Sequence, residues 1–491
     1  MIIKISSCDS QGSVYIGDSA VYRPIHTEHI KNITDVLNIV GEGISGIIET
    51  TVCRDEDLPV GLRGISELTL QHRKVAYVSY PHEWCASMLK DAAIFHLELL
   101  EKLLSKRLTL KDAHPWNILF DRGRPVFVDF TSIVTEKGLF NENYLEANRK
   151  FRNSHNTIRA AQLVREIFAR MFQPYFLNPL LMYAYGERDR VRPRIENTTL
   201  NASSETIALS ECFTLKNKSL RSLRKYLSFL ATIYREKVAY SRLKNRFSLI
   251  AFYTDMRHHV QCLSVAASAT AYASYYKEKG ENHDWNYCRQ WNEKQKGVHD
   301  ALNIPSIDSV LDVACNTGWY ALMAERLGKK VVAFDIDEGC IDILYQHVNR
   351  DCLNILPLVL SFTDLTQDKC SIYDDSLVLI NAGDRLRSDA VLALGIIHHL
   401  VLGLGMSLEE VLNSLQPLFK ERLILEFINA DDAMICNEPS FFPAYFNNSN
   451  IINGYDIQAL ISLINSRGFE VKVAPSYPDT RKLLICDRLT K

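Results

Sequence analysis

A chain of 491 residues is too long for a single hydrophobic core, so two or three domains are expected. An apolar share of 47%, a mean hydropathy of −0.09 and a net charge of −2 exclude a bulk-charge attraction to nucleic acid or to a membrane surface. The opening residues carry no apolar signal core. The longest apolar run, 390–406, is interrupted by His398 and His399 and is too short to span a bilayer. The 12 cysteines are scattered without a C-x-x-C pair, which reads as reduced thiols in a cytoplasmic protein.

In chain order, apolar runs at 14–16 and 20–22 flank Gly17 and Asp18, the pattern of a hairpin. A helical stretch over 29–40 follows, then a short apolar strand at 75–79. That strand runs through Tyr80, Pro81, His82, Glu83 and Trp84 into a helix over 86–104, whose apolar residues recur at three- and four-residue steps.

Residues 110–130, LKDAHPWNILFDRGRPVFVDF, hold Asp112 and Asn117 in D-x-x-x-x-N spacing. Asp129 closes an apolar strand at 125–128. Two acids and an Asn on neighbouring loops suit Mg²⁺ and the phosphates of a nucleotide, with one acid orienting a hydroxyl. The stretch resembles the catalytic loop and metal-binding Asp of protein-kinase-like folds. It departs from them in Lys111 before the Asp, in Thr131 after Asp-Phe, and in the lack of a Gly-rich phosphate loop or of a convincing Lys on an early strand. Two readings stand: an active phosphotransferase site for ATP and Mg, or hydrogen-bonding posts in a kinase-derived fold without activity.

Three blocks, VSYPHEWCASMLKDAA, LTLKDAHPWNILF and GRPVFVDFTSI, resemble the S-Y-P-Y-E-W, L-K-D-A-S-x-Y-N and G-R-P-V-F-I-D blocks of a bacterial family of S-adenosylmethionine (SAM)-dependent methyltransferases that includes nodulation proteins. The resemblance implies a class I methyltransferase domain further along the chain and leaves the role of the N-terminal domain open.

Residues 142–185 read as helices interrupted at Pro174 and Pro179, and 187–210 as a polar, exposed connection containing Pro193. Residues 216–246 carry ten Lys and Arg against Glu236 alone, with Leu220, Leu223, Leu227 and Leu230 at helical spacing. This is either a phosphate-binding face, for RNA or an anionic substrate, or a solvated helix. The lack of an accompanying nucleic-acid motif favours the solvated helix. Lys294, in a helix over 285–302, either pairs with a ligand carboxylate or stands on the surface.

Residues 309–337, SVLDVACNTGWYALMAERLGKKVVAFDID, read as strand, small-residue turn, helix and strand, a βαβ unit built for a nucleotide-like ligand. Asp312, Ala314, Asn316 and Gly318 form a D-x-A-x-N-x-G turn. Asp335 ends the second strand at the separation suited to ribose hydroxyls. The turn resembles that of class I SAM methyltransferases. Alternation continues with a helix at 340–349 and a strand at 355–360. The turn at 361–364, with Phe362, then falls where such enzymes place adenine. Strands at 388–395 and 422–427 follow, the second carrying Glu426, and an antiparallel pair at 470–474 and 482–486 closes the set. Asp384-Arg385 stands where the family shows E-R. His398 and His399, beyond the fourth strand, either take a proton from the methyl acceptor or fix their loop.

The expected architecture is an α+β kinase-like domain over 1–185, a helical connection over 186–300, and an α/β Rossmann-like class I methyltransferase domain over 301–491. The expected cofactor is SAM, with ATP and Mg on the alternative reading. The acceptor is unidentified, and no membrane association is expected.

Overall fold

The structure is a computed structural model. It describes residues 3–5, 11–41, 43–135, 168–186, 188–197, 246–265, 272, 287, 289–365, 380–437, 439–443 and 454–489. The basic stretch 216–246, apart from Arg246, and the expected helices at 142–167 lie outside them.

The hairpin expected around Gly17 is present. Strands β1 (Ile3–Ile5), β2 (Val14–Ile16) and β3 (Ala20–Pro24) run antiparallel, and Gly17 N–H donates to Ala20 O at 2.9 Å to close the turn. Helix α1 (Ile30–Val40) follows, with Ile33 and Val36 buried one helical step apart. Strands β4 (Thr50–Cys53) and β5 (Thr69–Arg73) complete an antiparallel sheet of order β1-β2-β3-β5-β4. The apolar run at 75–79 forms no strand. The Val78 carbonyl accepts from Arg385 instead of from a ladder, and the Ser79 side chain accepts from Trp84 Nε1 at 3.0 Å.

Helix α2 (Ala86–Ser105) is the central post of this half, with Leu89, Ala93, Leu97, Leu100 and Leu104 all buried along one stripe. Beyond it, β6 (Leu108–Leu110), β7 (Ile118–Asp121), β8 (Arg124–Phe127) and β9 (Ile133–Thr135) form two antiparallel pairs, β6 with β9 and β7 with β8. The β7–β8 turn uses Arg122 and Gly123 at φ 48° and 69°, matching the twist of a tight hairpin.

Pro174 does not break its helix but sits within a wide helical segment, Phe168–Leu177. Pro179 opens α3 (Asn178–Tyr185), where its missing N–H costs nothing. Within the stretch expected to be an exposed connection, Val191 and Ile195 are buried in the short helix Val191–Asn197. Helix α4 (Arg246–Cys262) lies on α2, where Arg257 Nε donates to Glu101 at 2.9 Å.

The last third alternates as expected: α5 (Glu293–Leu302), β10 (Ser309–Val313), α6 (Trp319–Arg326), β11 (Lys330–Asp335), α7 (Glu338–Asp351), β12 (Ile355–Val359), β13 (Ser388–Ala393), α8 (Leu408–Leu415), β14 (Phe419–Ile428), α9 (Ile457–Ser466), β15 (Phe469–Pro475) and β16 (Arg481–Arg488). The sheet order is β12-β11-β10-β13-β14-β16-β15, parallel except for β16, which is antiparallel to both neighbours. Strands β12 and β13 are buried at every residue, as strands covered on both faces must be. One apolar core runs through both halves, from Ile25 to Cys486. Among the described residues no helix is long and apolar enough to cross a membrane.

Candidate active site

In the sheet of residues 309–488 the strand order reverses between β10 and β13, and ligands of open α/β sheets bind outside the strands' carboxyl ends at such a point. The turn leaving β10 has three residues in the left-handed region: Ala314 (φ 56°), Asn316 (φ 53°) and Gly318 (φ 82°). Two of them carry side chains, which is uncommon and concentrates at ligand sites. Alternation of this kind turns successive N–H groups into a concave, anion-receiving array at the start of α6.

Asp335, at the end of β11, locks the turn. Its Oδ2 accepts from Asn316 N–H at 2.8 Å and its Oδ1 from Asp337 N–H at 2.9 Å. Burial raises its carboxyl above the usual range, against the pull of those two N–H groups. Asp337 caps α7, accepting from Gly339 and Cys340 N–H at 2.9 and 3.2 Å. Leu360 N–H donates to Asp335 O at 3.1 Å, which brings the turn Phe362–Asp364 and the buried Phe362 to the same edge. Asp312, Ala314, Asn316, Gly318, Asp335 and Phe362 are thus gathered at one edge of the sheet.

Asp312 is 2% exposed, and its Oδ2 has no hydrogen-bond partner among the described residues. Burial, with the Asp335 charge adding to it, pushes its carboxyl up to about 8. A buried carboxylate oxygen without a donor is a place for a ligand's cationic group.

Lys294 does not stand ready for a ligand carboxylate. Its Nζ lies 2.7 Å from Glu426 Oε2, over the ring of Tyr320, and Ser476 Oγ donates to the other Glu426 oxygen at 2.8 Å. Glu426 is fully buried on β14, and a Cβ on Gly395 would lie 3.6 Å from its Oε2. The sequence put Glu426 near a strand end but gave no sign of this pair, whose members lie 132 residues apart.

Gly318 does more than admit a ligand. A Cβ there would come within 2.5 Å of Leu344 on α7, so the glycine also lets α6 and α7 approach.

The His398 and His399 rings lie 4.1 Å apart between centroids at a tilt of 41°, and both pack on Phe442. His398 is 1% exposed, and neither ring nitrogen has a partner among the described residues. Burial, joined by the charge of His399, holds it well below the ordinary imidazole range. Burial also lowers His399.

A second cluster lies in the N-terminal half. Asn117 Nδ2 donates to Asp112 O at 3.1 Å, Asp112 N–H to Ser132 Oγ at 3.0 Å, and Val128 N–H to Asn117 O at 2.9 Å, so the loops of Asp112, Asn117 and Asp129 are adjacent. Asp129 accepts from Arg23 Nη1 at 2.7 Å and from Thr131 Oγ1 at 2.8 Å. Arg23 sits on β3 and escaped the sequence reading, which looked for Lys. Among the described residues no group of three or more His, Cys, Asp or Glu is placed to hold a metal by itself, and Asp129, the acid expected to meet Mg²⁺, is engaged by Arg23.

No protein-family model matches the chain. It is 23% identical over 417 residues to Nodulation protein NoeA of Rhizobium meliloti (strain 1021), covering 78% of each chain. Among solved structures it is similar to magnesium protoporphyrin IX methyltransferase (ChlM) from Synechocystis PCC 6803 with bound SAH. The identity is 16%, over 44% of this chain and 97% of that one, at a TM-score of 0.28. It is also similar to the bifunctional kinase-methyltransferase WbdD, at 15% identity over 43% of this chain and 42% of that one, with a TM-score of 0.29. Strand order and the β10 turn carry the fold assignment without these two likenesses. Over 78% of its length the chain is thus similar to a nodulation protein, and residues 309–488 have the strand order and glycine turn of a class I methyltransferase fold.

Proposed function

We propose that the chain transfers a methyl group from SAM to an acceptor seated at the carboxyl ends of β13 and β14. The observation that carries this reading is the buried, unpartnered Asp312 oxygen beside the left-handed turn at 314–318. Asp312 would face the ligand's ammonium, the N–H groups of the turn its carboxylate, the free lone pairs of Asp335 the ribose hydroxyls, and Phe362 the adenine. SAM supplies an electrophilic methyl on a sulfonium, so the chain's task is alignment of the acceptor more than acid catalysis. A His398 imidazole kept neutral by burial has a nitrogen lone pair free to take the acceptor's proton, with His399 fixing its ring.

The domain division proposed is a kinase-like unit over 1–185, a helical connection over 186–300 and the methyltransferase over 301–491. An antiparallel sheet with α1 inserted between β3 and β4 supports the kinase-like reading, as do the β6–β9 and β7–β8 pairs bracketing the Asp112–Asn117 loop and Asp129. The Arg23–Asp129 pair supports a unit without phosphotransfer. A cytoplasmic setting is consistent with the free cysteines at all eight described positions.

Incubating the protein with methyl-labelled SAM and cell extract tests the reading. Labelled product that disappears in Asp312→Asn is expected, together with a drop of about 100-fold in turnover for His398→Asn at unchanged SAM affinity. A wild-type chain that neither binds SAM nor transfers label sinks it.

A further inference from the structure

The segment 77–87 of the N-terminal half lies along the methyltransferase sheet. At one end, the Tyr77 hydroxyl meets Ser388 Oγ, at the start of β13, at 3.3 Å. At the other, Ala86 and Ser87 reach the start of α7, just past Asp335. Helix α2 has no side-chain cap of its own. Its free N–H groups are received across the interface: Ala86 N–H donates to Glu338 Oε1 and Ser87 N–H to Asp342 Oδ1, both at 2.9 Å. Glu338 also accepts from the Tyr183 hydroxyl at 2.6 Å and pairs with Arg192, whose Nη1 donates to Val359 O at the end of β12.

Between these ends stands a buried ion pair. Glu83 and Arg385 are 2% and 4% exposed and in direct contact. Arg385 Nη1 donates to Val78 O at 2.6 Å, and its guanidinium lies over the Tyr80 ring at 4.5 Å. Glu83 Oε2 in turn accepts from Tyr80 N–H at 2.8 Å, and the Tyr80 hydroxyl accepts from Ile380 N–H at 3.1 Å. The short turn holding Arg385 is fastened to the cofactor edge, because Gly383 N–H donates to Leu365 O, at the foot of the Phe362 turn, at 3.1 Å.

We infer that residues 77–87 form the outer wall of the adenosine half of the cofactor site, with Glu83 and Arg385 as positioning residues that hold the Phe362 turn through Gly383. This rests on the SAM reading above. From the N-terminal half the start of α7 is held through Ala86, Ser87 and Tyr183, and the turn holding Arg385, which is bonded to Leu365, is held through Glu83 and Val78. A wall of this kind couples two events: ligand binding tightens the interface, and a loosened interface weakens the ligand by the same factor.

The test uses the full chain. SAM affinity is measured by calorimetry for wild type, Arg385→Lys and Tyr80→Phe, with amide exchange over 77–91 followed with and without SAM. Arg385→Lys keeps the charge and loses the fork of donors, and should weaken SAM by about tenfold. Tyr80→Phe keeps the ring beneath the guanidinium and loses only the hydroxyl bonded to Ile380, and should weaken SAM about threefold; it serves if Arg385→Lys does not fold. In wild type SAM should slow exchange over 77–91, which a merely structural interface would not do. Affinities within twofold of wild type, or exchange indifferent to SAM, overturn the positioning role while leaving SAM binding intact. A wild-type chain that fails to bind SAM overturns the cofactor reading itself.

Discussion

Arg23 Nη1 lies 2.7 Å from Asp129 Oδ1, and the same guanidinium touches Thr131 Oγ1. The side chains are 10% and 16% exposed, so the pair is largely withdrawn from water. A permanent cation thus stands on the acid that the sequence nominates for Mg²⁺. The chain should show no Mg-dependent ATP turnover, and Arg23→Ala should lower unfolding stability by about 3 kcal/mol, because it strands a buried carboxylate. ATP turnover in wild type that vanishes in Asp129→Ala would refute this.

Asp312 gives a pH signature. Its carboxyl titrates near 8 in the folded chain and near 3.9 when unfolded. Between those values the folded state holds a proton that the unfolded state has released, so this group's contribution to stability falls as pH rises through the window. Asp312→Asn should flatten that fall and, at pH 8, be more stable than wild type by about 2 kcal/mol or more while losing SAM affinity. Denaturant unfolding at pH 5 and pH 8 decides it, and parallel pH dependences in the two proteins would show that Asp312 is not the group.

Asp335 and Asp337 separate cleanly. Asp335→Ala removes the acceptor of the ribose hydroxyls and also releases Asn316, so SAM should bind at least tenfold more weakly. Each hydrogen bond to a charged acceptor is worth about 1.5–3 kcal/mol and tenfold is about 1.4. Asp337→Ala removes the cap of α7 and should cost about 1 kcal/mol of stability with SAM affinity nearly intact. The reverse pattern in calorimetry would reassign the ribose to Asp337.

Gly318→Val is a fold variant more than a ligand variant. With φ at 82° and Leu344 in the way, the branched side chain should cost at least about 2 kcal/mol in unfolding experiments before any ligand is added. Unchanged stability with lost SAM binding would mean that the turn yields locally.

The βαβ unit and its parallel companions were legible because strands buried on both faces read as near-continuous apolar runs, as 331–334 and 355–359 do and as 310–313 does apart from Asp312. Strand β4, Thr-Thr-Val-Cys with two exposed residues, and the three-residue β6 carry too little pattern to be read alone. Residues 75–79 carry the pattern and form no strand; the Val78 carbonyl accepts from the Arg385 guanidinium, far along the chain, instead of from a neighbouring strand. Arg23 with Asp129 and Lys294 with Glu426 are tertiary pairs that no local spacing announces.

The capping of α2 by Glu338 and Asp342 also bears on inheritance. The first two N–H groups of one helix are received by acids of another, 252 and 255 residues further on. A recombination event joining 301–491 to a foreign N-terminal half would leave those acids, and Arg385, facing groups never selected to meet them. The two halves are therefore expected to descend together, with substitutions at 83 matched by changes at 385 and the acids at 338 and 342 retained wherever α2 begins at 86 in related chains.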